Sequence, residues 1–222
     1  GTYFCASCIA GAKLHFPQVC PVCERASVDG VTHRRCKRRD VPDGLIALWA
    51  YEGMPRKLIL KLKYKFVSDI AECLSKVSTD LLKNLHQAAP DTPKWGVDRF
   101  CIVPIPLHWT RENWRGFNHA EELAKLLARE MGWKFSDILV RKKKTKPQVG
   151  LKEEERKRNV AGIFEINTHN SKFISKACRF AIIHDSILLF DDVWTTGATM
   201  REACRVLKKA GFRNVWCLTL AR

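Results

Sequence analysis

The chain has 222 residues, room for one good-sized domain with a small module attached or for two modest domains. Hydrophobic residues make up 46%, enough for a folded core, and nothing in the composition suggests collagen, a coiled coil or wholesale disorder. Lys and Arg exceed Asp and Glu by 39 to 23, a net charge of +16, which favours polyanionic partners over acid-seeking ones or else marks a solvated positive surface.

Residues 1 to about 40 are rich in Cys, Arg and turn formers and read as a metal-held knuckle. Cys5-x-x-Cys8 and Cys20-x-x-Cys23 are two thiolate pairs separated by an eleven-residue loop, a spacing that can surround one tetrahedral Zn²⁺. Such a segment has too little apolar surface to fold well alone, so a structural metal would order it. His33-x-x-Cys36 is a third pair, open to two readings: further ligands, or a solvated His and a stray Cys. Gly1 to Cys5 has no charged leader before an apolar stretch, and no apolar run has the length to cross a bilayer. The expectation is a cytoplasmic chain that is not itself transmembrane, with a peripheral place at the inner membrane left open.

Leu45 to Tyr51 reads as a buried strand, ended by Gly53 and Pro55. Leu58, Leu62 and Phe66 fall at helical spacing, and Ile70, Leu74, Val77, Leu81 and Leu85 make a second helical stripe. From Phe100 the pattern alternates. Phe100 to Ile105 is a strand, Asn118 to Met131 a helix, and Ile138 to Val140 and Ile163 to Ile166 short strands. Ile187 to Phe190 is a strand, Met200 to Ala210 a helix ending at Gly211, and Val215 to Leu220 the last strand. Alternation of this kind predicts an α/β fold, a parallel sheet with helices on both faces.

The sharpest signal is the run Ile187 to Thr199. A hydrophobic strand ends in Asp191 and Asp192, a small hydroxyl-rich loop follows, and a helix begins. Ligands in open α/β sheets bind at strand carboxyl ends, and a helix N-terminus suits a phosphate. Thr195, Thr196 and Thr199 add hydroxyls, and Gly197 lets backbone approach an anion closely. Asp191 and Asp192 can accept from a ribose diol or help to hold Mg²⁺. Trp194 either stacks on a ligand or packs against the neighbouring helix.

This run resembles the phosphoribosyl-pyrophosphate signature of type I phosphoribosyltransferases at every constrained position. The resemblance implies that Asp191 and Asp192 face the ribose hydroxyls, while Thr195, Thr196, Gly197, Ala198 and Thr199 wrap the 5′-phosphate, with Val193 also in the phosphoribosyl-pyrophosphate-binding set. The likeness extends through Tyr51-Glu52-Gly53, Leu58 to Tyr64, Val103 to Pro106, Arg115-Gly116-Phe117-Asn118-His119-Ala120 and Lys152 to Phe164, which ends in Arg158-Asn159-Val160-Ala161-Gly162-Ile163-Phe164. In that order these segments look like the ComF family. The layout implied is a zinc-binding module over 1–40 and a phosphoribosyltransferase-like domain over 41–222.

The resemblance further implies a protein of natural transformation, binding phosphoribosyl pyrophosphate and handling incoming single-stranded DNA beside a helicase and an inner-membrane DNA channel. The alternative is an active phosphoribosyltransferase, with Mg²⁺ and an unidentified acceptor; no catalytic residue is assigned. Arg115, Lys143, Lys144 and Arg158 are candidates for pyrophosphate or a nucleic-acid backbone. The basic stretch from Arg141 sits where the family's closing loop would lie, and it reads equally as a solvated loop. Trp114 and Phe117 are candidate base-stacking groups or core anchors.

Overall fold

The computed structural model describes residues 11–64, 68–88, 100–143, 159–167 and 186–222. Its centre is a five-stranded sheet in which every pairing is parallel, as the alternating pattern predicts. The strands are β1 (Gly44–Trp49), β2 (Phe100–Pro104), β3 (Lys134–Phe135), β6 (Ser186–Val193) and β7 (Val215–Ala221). They lie in the order β1-β7-β6-β2-β3. A separate antiparallel pair joins β4 (Leu139–Arg141) to β5 (Phe164–Ile166).

Strands β1, β2 and β7 are buried along their whole length, the pattern of a parallel sheet covered on both faces. One face carries helix α1 (Gly53–Tyr64), α2 (Ser68–Ala88) and α4 (His119–Met131), packed over Ile46, Leu48, Ile102, Leu188, Phe190 and Leu218. The other carries α5 (Ala198–Lys209) and the β4–β5 pair over Leu45, Val103, Ile187, Leu189 and Cys217. Residues of β6 alternate between the two clusters: Leu188 and Phe190 serve one, Ile187 and Leu189 the other. Each such fully buried aliphatic or aromatic side chain contributes about 1.5–3 kcal/mol. Together they fix the register that carries Asp191 and Asp192 to the end of the sheet.

Two elements fall outside the sequence reading. Helix α3 (Trp109–Arg115) is seven residues long, too short to show apolar periodicity. It is set by its ends: His108 Nδ1 accepts from the Thr110 amide, and Gly116 closes it with φ 79°. Strand β3 is two residues long and, among the described residues, pairs with β2 alone.

The N-terminal segment packs along the edge strand β1. The His15 amide donates to the Leu48 carbonyl, and the Ala50 amide to the Lys13 carbonyl. Buried Gln18 pairs with the neighbouring Ala47, donating to its carbonyl at 2.9 Å and accepting from its amide at 3.0 Å. Edge backbone groups that would otherwise face solvent are thereby paired.

Candidate functional site: an acidic strand end and a cysteine–histidine cluster

Because the sheet is parallel, β2, β6 and β7 all end on one side, and the loop after β6 leaves from the middle strand. Asp191 lies opposite Thr219 and Val193 opposite Ala221, so the acidic pair sits at the last turn of the ladder. The Ile105 amide donates to the Phe190 carbonyl, drawing the loop after β2 alongside.

The two acids are held differently. Asp192 is buried, and its Oδ2 lies 2.7 Å from Lys63 Nζ and 3.3 Å from His119 Nε2. The Lys63 contact is an ion pair set by proximity more than by hydrogen-bond direction. Burial pushes Asp192 up, but the Lys63 charge and His119 outweigh it and hold the carboxyl well below its usual range. Burial likewise opposes the Lys63 charge, and Asp192 more than offsets it, so the amine is raised. Asp191 goes the other way: burial, then the negative charge of Asp192, lift it above the ordinary carboxylate range. Its Oδ1 accepts from the Asp192 amide at 2.9 Å, and among the described residues it carries no ion pair. One carboxylate is therefore fixed and neutralised by the protein, while its neighbour has no ion-pair partner among the described residues.

Past the acids, Trp194 is buried at 2% exposure and settles beneath the loop. Gly197 caps α5 with φ 66°, and a Cβ built there would lie 2.0 Å from the Trp194 ring. Both the left-handed backbone and the close ring require glycine. No side chain caps α5 at Gly197, and its first turn has no acid, so the positive end of the dipole meets no acidic side chain of its own turn. Thr196 Oγ1 is buried without a partner among the described residues. Thr195 is exposed, Thr199 is half-buried in the first turn, and Ala198 is buried at the helix start.

Lys63 and His119 lie within segments that carry the family likeness, yet their roles leave no local trace. Lys63 is in the last turn of α1 and His119 opens α4. His119 is aimed by its neighbour: Asn118 caps α4 by accepting from the Ala120 amide, and donates to the Ile105 carbonyl at 3.2 Å. Only the fold brings α1, α4 and β6 to one point.

Of the basic candidates, Lys143 is exposed just after β4, and Arg115 ends α3, with its side chain outside the described residues. Lys144 and Arg158 lie outside the described residues altogether. Beside Arg115 the helix exposes Trp109 at 62% and Trp114 at 74%.

The knuckle gathers a donor set that the sequence reading divided otherwise. Cys20, Cys23, His33 and Cys36 each offer one ligand atom, all within 4.8 Å of one another. Cys5 and Cys8, the other expected pair, lie outside the described residues. A short 3₁₀ turn over Arg34–Cys36 swings Cys36 back beneath His33, and Cys23 Sγ lies 3.3 Å from His33 Nδ1. His33 and Cys36 are thus cluster members and not a solvated pair. The Arg25 backbone amide, against opposing burial and with help from His33, holds the Cys23 thiol down at about 6, toward the thiolate that ligates metal. Three sulfurs and one imidazole match a structural zinc site, so this cluster can hold Zn²⁺.

No family model matches the chain. It is 29% identical to Competence protein ComFC of Bacillus subtilis (strain 168), over 98% of this chain and 83% of that protein. It is 30% identical to DNA utilization protein YhgH of Escherichia coli O6:H1, over 96% of this chain and 88% of that protein. The chain belongs to the ComF family. Competence protein F of Haemophilus influenzae is 31% identical over 55% of this chain and 50% of that protein. The ComF likeness thus spans the knuckle, the sheet and the acidic strand end alike. Among the described residues of this ComF chain, no helix is long and apolar enough to cross a membrane.

Proposed function

We propose that this ComF chain binds phosphoribosyl pyrophosphate in the cup formed by residues 191–199 and acts in competence or DNA utilization, where it handles single-stranded DNA. The observation that carries the reading is the pairing of a strand-end acid already fixed by Lys63 and His119 with an uncapped helix start and a buried, unpartnered Thr196 hydroxyl. Asp191 then serves the ribose diol, and Thr195 to Thr199 serve the 5′-phosphate. Mg²⁺ would travel with the pyrophosphate, held chiefly by phosphate oxygens. The relatives' names, a competence protein and a DNA utilization protein, support the DNA role. A helicase and an inner-membrane DNA channel are the partners such a role calls for.

Two features favour single-stranded DNA as a second ligand. Net charge is +16, and Trp109 and Trp114 stand exposed on α3, which follows the β2 loop beside the cup. Exposed indoles beside basic groups offer stacking faces for unpaired bases. A thermal melt tests the pocket: phosphoribosyl pyrophosphate stabilises zinc-loaded protein with the logarithm of its concentration once above Kd, and no rise at millimolar ligand rejects it. The transferase alternative is tested by pyrophosphate release across a panel of nucleobase and amine acceptors.

A further inference from the structure

The knuckle and the cup are joined by a short chain of contacts through Glu24. Glu24 follows Cys23 directly, and its amide donates to the Cys20 carbonyl at 2.9 Å, closing the turn that carries both thiols. Its φ is 57°, a conformation uncommon for a side chain of this kind. That turn aims its carboxylate at the main domain, where it takes two guanidinium groups. Arg201 Nη2 donates to one oxygen at 2.7 Å and Arg222 Nη2 to the other at 2.8 Å. Arg201 Nε also donates to the Pro21 carbonyl at 2.6 Å. All three side chains are two-thirds or more buried, so the contacts are better shielded than surface ion pairs.

Arg201 belongs to the cup. Its amide donates to the Gly197 carbonyl at 2.9 Å, closing the first turn of α5. Its guanidinium lies 5.4 Å from the centre of the Trp194 ring, and that ring fills the space above Gly197. One arginine thus grips the metal-bearing turn with its side chain and the phosphate-loop helix with its backbone. Arg222, at the end of β7, fastens the same carboxylate to the strand beside Asp191.

We propose that Glu24 and Arg201 are positioning residues through which the metal-held knuckle sets the conformation of the 194–201 loop. Ordering of the Cys20–Cys23 turn fixes Glu24, Glu24 fixes Arg201, and Arg201 holds Trp194 and the first turn of α5 in place. Coupling between two sites is reciprocal, so a sugar phosphate in the cup tightens metal binding by the factor by which metal tightens the sugar phosphate. The coupling to ligand rests on the sugar-phosphate reading given above; the mechanical link does not.

The test compares zinc-loaded wild type with zinc-loaded Glu24→Gln and Glu24→Lys. Hydrogen exchange of amides 201–204, the first that the helix bonds, is followed without ligand, and ribose 5-phosphate affinity is measured by calorimetry. The expected result is faster exchange at 201–204 and affinity lowered about 5-fold or more in Glu24→Lys, with a smaller loss in Glu24→Gln, at unchanged zinc content. Saturating ribose 5-phosphate should also raise zinc affinity in equilibrium competition with a chelator, an effect lost in Glu24→Lys. Unchanged exchange and affinity in both variants would overturn the link and leave the sugar-phosphate reading intact. Should wild type bind no ribose 5-phosphate, that reading and its coupling to metal both fall, and the mechanical link is decided by exchange alone. If Glu24→Lys sheds its zinc, Glu24→Gln decides by the same measurements.

Discussion

Lys63 Nζ sits 2.7 Å from Asp192 Oδ2, joining the end of helix α1 to the end of the central strand β6 across 129 residues of sequence. Both side chains are largely removed from water, so neither charge can be deleted alone without leaving the other exposed to the core's low dielectric.

Lys63→Met is therefore expected to cost up to about 3–5 kcal/mol in urea unfolding near neutral pH, with His119 softening the loss. The double variant with Asp192→Asn should recover part of it, giving a coupling energy on the order of 0.5–3 kcal/mol. Because Asp192 is held below its usual range, its contribution is present above the ordinary carboxylate pKa. That contribution should disappear as pH falls through the lowered value, and Asp192→Asn should abolish this acid limb.

Asp191 has the opposite sign. Its pKa is raised, so in the ligand-free protein it holds its proton to higher pH than an ordinary carboxyl. A ribose diol donates hydrogen bonds and favours the ionised form. Ribose 5-phosphate binding should then release protons and strengthen as pH climbs from the ordinary to the raised value. Calorimetry in buffers of different ionisation enthalpy reads the release directly. Asp191→Asn should remove it; equal release in that variant assigns the protons to the phosphate instead.

Gly197→Ala combines a left-handed φ with a methyl driven into the Trp194 ring. A loss of sugar-phosphate affinity is expected, along with destabilisation on the order of 1–3 kcal/mol. Trp194→Ala in the same chain should relieve the clash but leave the backbone strain. Paired melting curves of the single and double variants separate the two contributions.

Much of the fold was legible because its signals are local. The buried run of β6 and the stripes of α2 and α4 each carry a period that one stretch of sequence displays. The order of strand, acids, glycine and helix start was legible too, since these are contiguous from Ile187 to Thr199. What was not legible is what depends on convergence. Lys63 looks like one lysine among several on α1, and His119 looks like a surface residue at a helix start. Glu24 is one more charge in a basic knuckle, and nothing near it in sequence announces Arg201 or Arg222. The metal donors show the same limit. Cys20 and Cys23 declare themselves by spacing, whereas His33 and Cys36 join them only because a 3₁₀ turn folds back.

Zinc content checks that donor set. His33→Ala and Cys36→Ser should each lower zinc affinity and the thermal stability of the knuckle, alongside Cys20→Ser and Cys23→Ser. If Cys5→Ser and Cys8→Ser strip the metal while His33→Ala and Cys36→Ser retain it at full affinity, the pairing with His33 and Cys36 is wrong.

For the nucleic-acid role, Trp109→Ala with Trp114→Ala should weaken oligonucleotide binding by about 1–3 kcal/mol for each stacked base lost. The slope of affinity against salt should change little, because it reports phosphate contacts and not stacking. Fluorescence anisotropy at several salt concentrations separates the two.

The central claim concerns the acidic strand end and the helix start behind it. Calorimetric titration of zinc-loaded protein with phosphoribosyl pyrophosphate and Mg²⁺ should give one site per chain. Binding should be abolished in Asp191→Asn with Asp192→Asn while the fold survives by circular dichroism. Equal affinity in the folded double variant, or no binding to wild type, contradicts the account.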